Sequence, residues 1–177
     1  EIITQGEIDD LVSKIKVSED QKSIHIKILK KIIDERFEGE VGVVTNKRYL
    51  DCFKKVLLGL NFTNDTNEKK IINAYNVSYD IYSDFIDNHS YIFENYLVNY
   101  VFGKLFPVNR ENVFESYVRM ISLYAIIKLH LIGLAGYYKE NLSREHVVKL
   151  FYSLSRTIEH NSKYLNKVYN LIGGGYF

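Results

Sequence analysis

From Val118 to Tyr138 the chain reads VRMISLYAIIKLHLIGLAGYY, and this run constrains the fold more than any other feature. A bilayer-spanning helix needs roughly 20 mainly apolar residues, so the run is long enough to be tested as one. Arg119, Lys128 and His130 fall inside it. A charge at the middle of a membrane costs roughly 2.5–3.5 kcal/mol even on the more lenient insertion scale, which weighs against lipid. A helix apolar on most sides is also what the centre of a helical bundle requires. The run is therefore expected to be a long buried central helix, with no membrane partner.

Punctuation elsewhere is sparse, with one proline and ten glycines in 177 residues, which favours helices over a strand-and-turn fold. Ser18 with Gln21 resembles a capping box, and Glu7–Val17 carries Ile8, Leu11, Val12 and Ile15 at helical steps. A second helix follows Ser18, and a third runs from Thr45 or Asn46 to Leu60. Others are expected over about Thr66–Asn88, Ser90–Leu105, Arg110–Tyr138, Ser143–Ile158 and Ser162–Ile172. Pro107 must end the one before it, because proline disfavours helical backbone in the preceding residue. No two alternating runs are joined by a hairpin turn. The expectation is an all-α bundle of about seven to eight helices. The polar stretch Asn61–Asn67 divides it into an N-terminal subdomain, 1–60, and a C-terminal bundle, 66–177, or lies within one continuous domain, 1–177.

Charge is nearly balanced, with 23 basic and 22 acidic residues and a net +1, so no bulk field points to nucleic acid. The single cysteine, Cys52, excludes an intrachain disulfide or a cysteine-only metal or cluster site. It sits in an apolar helical pattern, where an inert buried thiol is expected. The start shows no secretory signal, which points to a cytoplasmic protein, and Glu1 in place of methionine points to a piece of a longer polypeptide.

Five histidines, His25, His89, His130, His146 and His160, show no i, i+4 pair of the kind zinc hydrolases place on one helical face, and no metal is expected. His130 reads as a hydrogen-bonded packing residue. His160 has Arg156 four residues before it and Glu159 one before; a polar helix end is the simpler reading. Gly133-Leu134-Ala135-Gly136 lacks the preceding strand of a dinucleotide loop and reads as a place where a neighbouring helix comes close. The aromatic series Tyr91, Phe93, Tyr96, Tyr100, Phe102 and Phe106 reads as bundle interior, with a cage for a cationic lysine as the functional alternative.

Three segments then carry a family resemblance: Glu94-Asn95-Tyr96-Leu97-Val98-Asn99-Tyr100-Val101-Phe102 with Leu105-Phe106-Pro107; Tyr124–Leu129 with Ile132–Ala135; and Glu145–Val148 with Leu154–Asn161. Together they resemble the C-terminal region of the bacterial flagellin lysine-N-methylase family. The resemblance implies a protein that transfers methyl groups from S-adenosylmethionine to flagellin lysines. It also implies a cysteine-rich, iron–sulfur-associated segment upstream, which this chain lacks, and with which it would pair. Methyl transfer needs a neutral amine aligned with the sulfonium methyl and a group to take its proton. Among the polar members of the matching words, Glu159 and His160 are the catalytic candidates, and Glu94, Tyr96, Asn99 and Arg156 the substrate-binding ones.

The leading expectation is a C-terminal helical domain of an S-adenosylmethionine-dependent flagellin lysine methylase, binding substrate or completing the active site and not catalytic by itself. The alternative is a noncatalytic helical interaction or dimerisation module. A ligand-sensing domain of a transcription regulator is weaker still, since the first sixty or so residues show no helix-turn-helix spacing.

Overall fold

The computed structural model describes residues 46–63, 67–108, 112–159 and Asn166, the side chains of Ile158 and Glu159 excepted. These residues form five α-helices: α1 (Lys47–Gly59), α2 (Glu68–Asp87), α3 (Tyr91–Lys104), α4 (Val113–Tyr138) and α5 (Arg144–Leu154). A 3-10 turn, Lys139–Asn141, joins α4 to α5, and a π-helical turn, Ser155–Glu159, extends α5. There is no strand among the described residues. All five correspond to expected helices; those expected at Glu7–Val17, after Ser18 and, Asn166 apart, at Ser162–Ile172 lie outside the described residues, so the count among the described residues is five rather than seven to eight.

Asparagine starts three of the helices. The Asn46 side chain accepts from the Arg48 and Tyr49 amides, Asn67 from Lys69, and Asn112 from Phe114 and Glu115. Each satisfies amides that an α-helix leaves without an internal partner at its N-terminus. The end of α3 comes at Leu105, whose φ of 55° is left-handed, two residues ahead of Pro107.

Burial follows helical periodicity on the outer members of the bundle. Tyr49, Phe53 and Val56 are the buried face of α1, Ile71, Tyr75, Ser78 and Tyr82 that of α2, and Val147, Leu150 and Leu154 lie on that of α5. These stripes close on α4, which buries six consecutive residues from His130 to Ala135. Leucine and isoleucine side chains such as Leu131, Ile132 and Leu134 contribute about 1.5–3 kcal/mol each when fully buried. By length and composition alone, Val113–Asn141 could cross a membrane, but most of its most apolar window is buried inside the bundle. Lys128 reaches the bundle edge instead, its ammonium 5.5 Å from the Tyr79 ring centre and 5.8 Å from that of Tyr82. Burial there lowers its pKa.

The glycine pair within α4 sits where α1 and α2 cross it. A Cβ on Gly133 would stand 2.6 Å from Val56 Cγ1 and 2.9 Å from the Val56 carbonyl oxygen. One on Gly59 would collide with the Gly133 carbonyl, and one on Gly136 with the Ser78 hydroxyl. The small residues thus admit neighbouring helices at backbone distance, as expected from the sequence.

Helix α3 departs from expectation. Its aromatic series was to be bundle interior, yet only Phe93 is buried, while Tyr91 is 43% and Phe102 76% exposed. Apolar residues occupy every side of α3, so no single orientation buries them all among the described residues.

Candidate functional site

Where α3 faces α5, side chains one helical turn apart line a groove of about 450 Å³: Tyr96, Asn99, Tyr100 and Gly103 from α3, with Phe151, Tyr152 and Ser155 opposite. The i, i+3, i+4, i+7 spacing on α3 is one helical face, and the Tyr96 and Phe151 rings lie 5.5 Å apart across it. Two candidates, Tyr96 and Asn99, are therefore brought together. Glu94 is not: it is exposed, and two residues before Tyr96 it points from the opposite side of the helix.

Arg156 follows Ser155 in the π-helical turn and lines a neighbouring depression that shares Tyr152. It donates from Nη1 to the Tyr152 hydroxyl at 2.8 Å, and its guanidinium carbon is 5.5 Å from the Tyr152 ring centre. Arg48 of α1 approaches the same ring at 5.9 Å. The turn is tied to α1 by Asn46, whose side-chain amide donates to Thr157 Oγ1 at 3.2 Å. The backbone of Glu159 closes the turn, while its side chain and all of His160 lie outside the described residues.

Tyr152 also borders two further depressions. One, of about 560 Å³, is lined by Asn46, Lys47, Arg48 and Arg156. The other, of about 670 Å³, lies between α1, the end of α4 and α5, with Asp51, Cys52, Lys55, Tyr138, His146 and Lys149 on its walls. Lys55 bonds Asp51 at 2.8 Å, and that bond holds its ammonium above the usual lysine range. Burial pushes the Cys52 thiol up to about 11, so it stays protonated and inert near neutrality, as expected although it is only partly buried. His146 stacks on Tyr138 with ring centres 3.6 Å apart, and its Nδ1 accepts from the Ser143 amide at 3.3 Å. The imidazole fills the place that an acidic side chain takes in a capping box.

Among the described residues no group of three or more His, Cys, Asp or Glu is placed to hold a metal ion. His130 is a packing residue, 2% exposed, with both ring nitrogens hydrogen-bonded.

The sequence reading missed Tyr152, Arg48 and Lys149. Tyr152 lies four residues before Arg156, on the same helical face, and that spacing was the available signal. Arg48 and Lys149 reach the site through packing of α1 on α5, which no local pattern reports.

Among the described residues the fold and this groove define an all-helical domain with a polar-aromatic surface site, with no nucleotide-binding sheet. The family described as FliB lysine N-methylase C-terminal domain matches residues 1–176, and the chain belongs to that family. No curated protein and no solved structure matches it.

Proposed function

We propose that this chain is the C-terminal helical domain of a bacterial, cytoplasmic, S-adenosylmethionine-dependent flagellin lysine methylase, and that its part is to hold the protein substrate along the groove between α3 and α5. One observation carries the reading: Tyr96 and Asn99, from one family-like word, and Ser155, from another far along the chain, line the same groove, and Arg156 of that second word bonds Tyr152 on its wall. Aromatic walls with an amide and hydroxyls suit an extended peptide, giving ring surface to side chains and hydrogen bonds to backbone. The methyl donor supplies an electrophilic methyl to the lysine amine. In this reading any iron–sulfur cluster belongs with a cysteine-rich region of the same polypeptide, because this chain has one cysteine and cannot ligate a cluster with thiolates alone. Glu159 and His160, three and four residues beyond Arg156 in sequence, are placed by this proposal at the amine, to orient it or take its proton.

The test uses the whole methylase. Tyr96→Ala with Asn99→Ala is expected to raise KM for flagellin about tenfold or more, with the thermal midpoint nearly unchanged. Arg156→Ala and Glu159→Ala are expected to lower methylation, also without loss of fold. Parallel loss of fold and activity, or unchanged kinetics, would sink the reading.

A second reading has one observation in its favour. Phe102, Leu105, Val108 and Phe114 are 76%, 67%, 80% and 55% exposed around the turn between α3 and α4. Large exposed apolar residues in one region suit an interaction or dimerisation surface. Sedimentation of the whole protein with Phe102→Ser and Val108→Ser tests it: an unchanged association state removes it.

A further inference from the structure

The three depressions that meet at Tyr152 are far more basic than the chain that makes them. Lys104 borders the first, Arg48, Lys55 and Lys149 the second, and Lys47, Arg48 and Arg156 the third. Among the described residues the one acid on these walls is Asp51, already bonded to Lys55 at 2.8 Å. The whole chain carries 23 basic and 22 acidic residues, so this face concentrates one sign of charge that the sequence otherwise balances. Its potential is felt locally: burial, then the neighbouring Lys149 and Lys55 charges, lower the His146 pKa.

We propose that this face docks an acidic stretch of the protein substrate, so that lysines flanked by aspartate and glutamate are selected. The inference rests on the substrate-holding role given above and adds the chemistry of the segment held. Lined clefts of one sign raise the local concentration of the opposite charge and speed encounter. Arginines at Arg48 and Arg156 suit carboxylates, whose two oxygens match the guanidinium fork. A nucleic-acid backbone is the poorer fit, because such domains carry a strongly basic total charge and this chain has +1.

The experiment compares two labelled synthetic peptides on the whole methylase, each with one lysine, one flanked by glutamates and one by serines. The acidic peptide is expected to bind about tenfold or more tightly at low salt, and the advantage to shrink as ionic strength rises past about 0.1 M. Arg48→Glu with Lys149→Glu should abolish the preference, while Lys54→Glu with Arg144→Glu, exposed cations off these walls, should leave it intact. Arg48→Gln with Lys149→Gln, which should halve the effect or more, guards against misfolding of the reversed pair, with the thermal midpoint checked for each. Equal binding of both peptides at every salt concentration, or a preference untouched by the reversed pair, overturns the inference. So does a labelled single-stranded oligonucleotide that binds the same residues more tightly than the acidic peptide. Failure of the underlying role looks different: the acidic peptide binds at the basic face, yet groove variants at Tyr96 and Asn99 leave methylation of both peptides unchanged.

Discussion

Tyr49 of α1 and His130 of α4, 81 positions apart in the chain, are joined by a 3.0 Å hydrogen bond in the core. His130 Nδ1 lies 2.7 Å from the Ile126 carbonyl, which can only accept, so Nδ1 carries the proton and, in the neutral ring, Nε2 accepts from the Tyr49 hydroxyl. The imidazole is thereby fixed in one tautomer, with the Phe53 ring centre 5.6 Å away. Tyr49→Phe is expected to cost about 1–3 kcal/mol, the penalty of stranding a buried acceptor. Urea unfolding measures it, and a loss well under 0.5 kcal/mol or so would show that the bond contributes little to the fold.

Gly133→Ala should destabilise more visibly than an ordinary helix substitution. Alanine would normally favour a helix interior by about 1 kcal/mol over glycine, but here its methyl meets Val56 Cγ1 at 2.6 Å. Overpacking of this kind costs typically about 1–3 kcal/mol, and Gly59→Ala, whose methyl would meet backbone alone and at closer range, should cost more. Thermal melts of the two variants give the order directly.

Lys139→Gly runs the other way. Lys139 adopts φ 50° and ψ −128° at the end of α4, a conformation that side chains resist and glycine accepts. Relief of that strain, less glycine's extra unfolded freedom, is expected to stabilise by about 0.5–1 kcal/mol. A lower melting point would refute it.

His146 should make stability depend on pH. Desolvation, then Lys149 and Lys55, lower its pKa from 6.5, against a smaller opposite pull from Glu145. Below 6.5 the unfolded chain takes up a proton that the fold resists, so this contribution is complete above 6.5 and lost as pH falls through the lower folded value. His146→Gln, which keeps an acceptor at that position of the capping box, should flatten the dependence. Denaturation midpoints followed downward from neutral pH, for both proteins, decide it.

The helices were legible because α1, α2 and α5 each expose one apolar stripe to period-reading, and the buried run of α4 is apolar on nearly all sides. Asparagine at positions 46, 67 and 112 gave local start signals close to the expected ones. The partial burial of α3 was not legible, since a helix apolar all round does not say which side its neighbours will cover. Tyr96 and Asn99 could be picked out only through the family-like word they share. The basic face was invisible in the net charge of +1, because its members come from α1, α3, α5 and the π-helical turn and converge only when these pack.

The glycine notch between α1 and α4 has a consequence for the site. With main chain pressed on main chain at Gly59 and Gly133, sliding or rotating α1 would drive backbone into backbone, which resists any shift in the register of Arg48, Asp51 and Lys55. Helix α3, which borders the separate groove against α5, touches its neighbours through rings such as Phe93, 4.7 Å from Tyr124 and 6.5 Å from Phe151. Ring-on-ring contacts resist displacement less than interlocked backbones, so amide hydrogen exchange along α3 is expected to outpace that along α1.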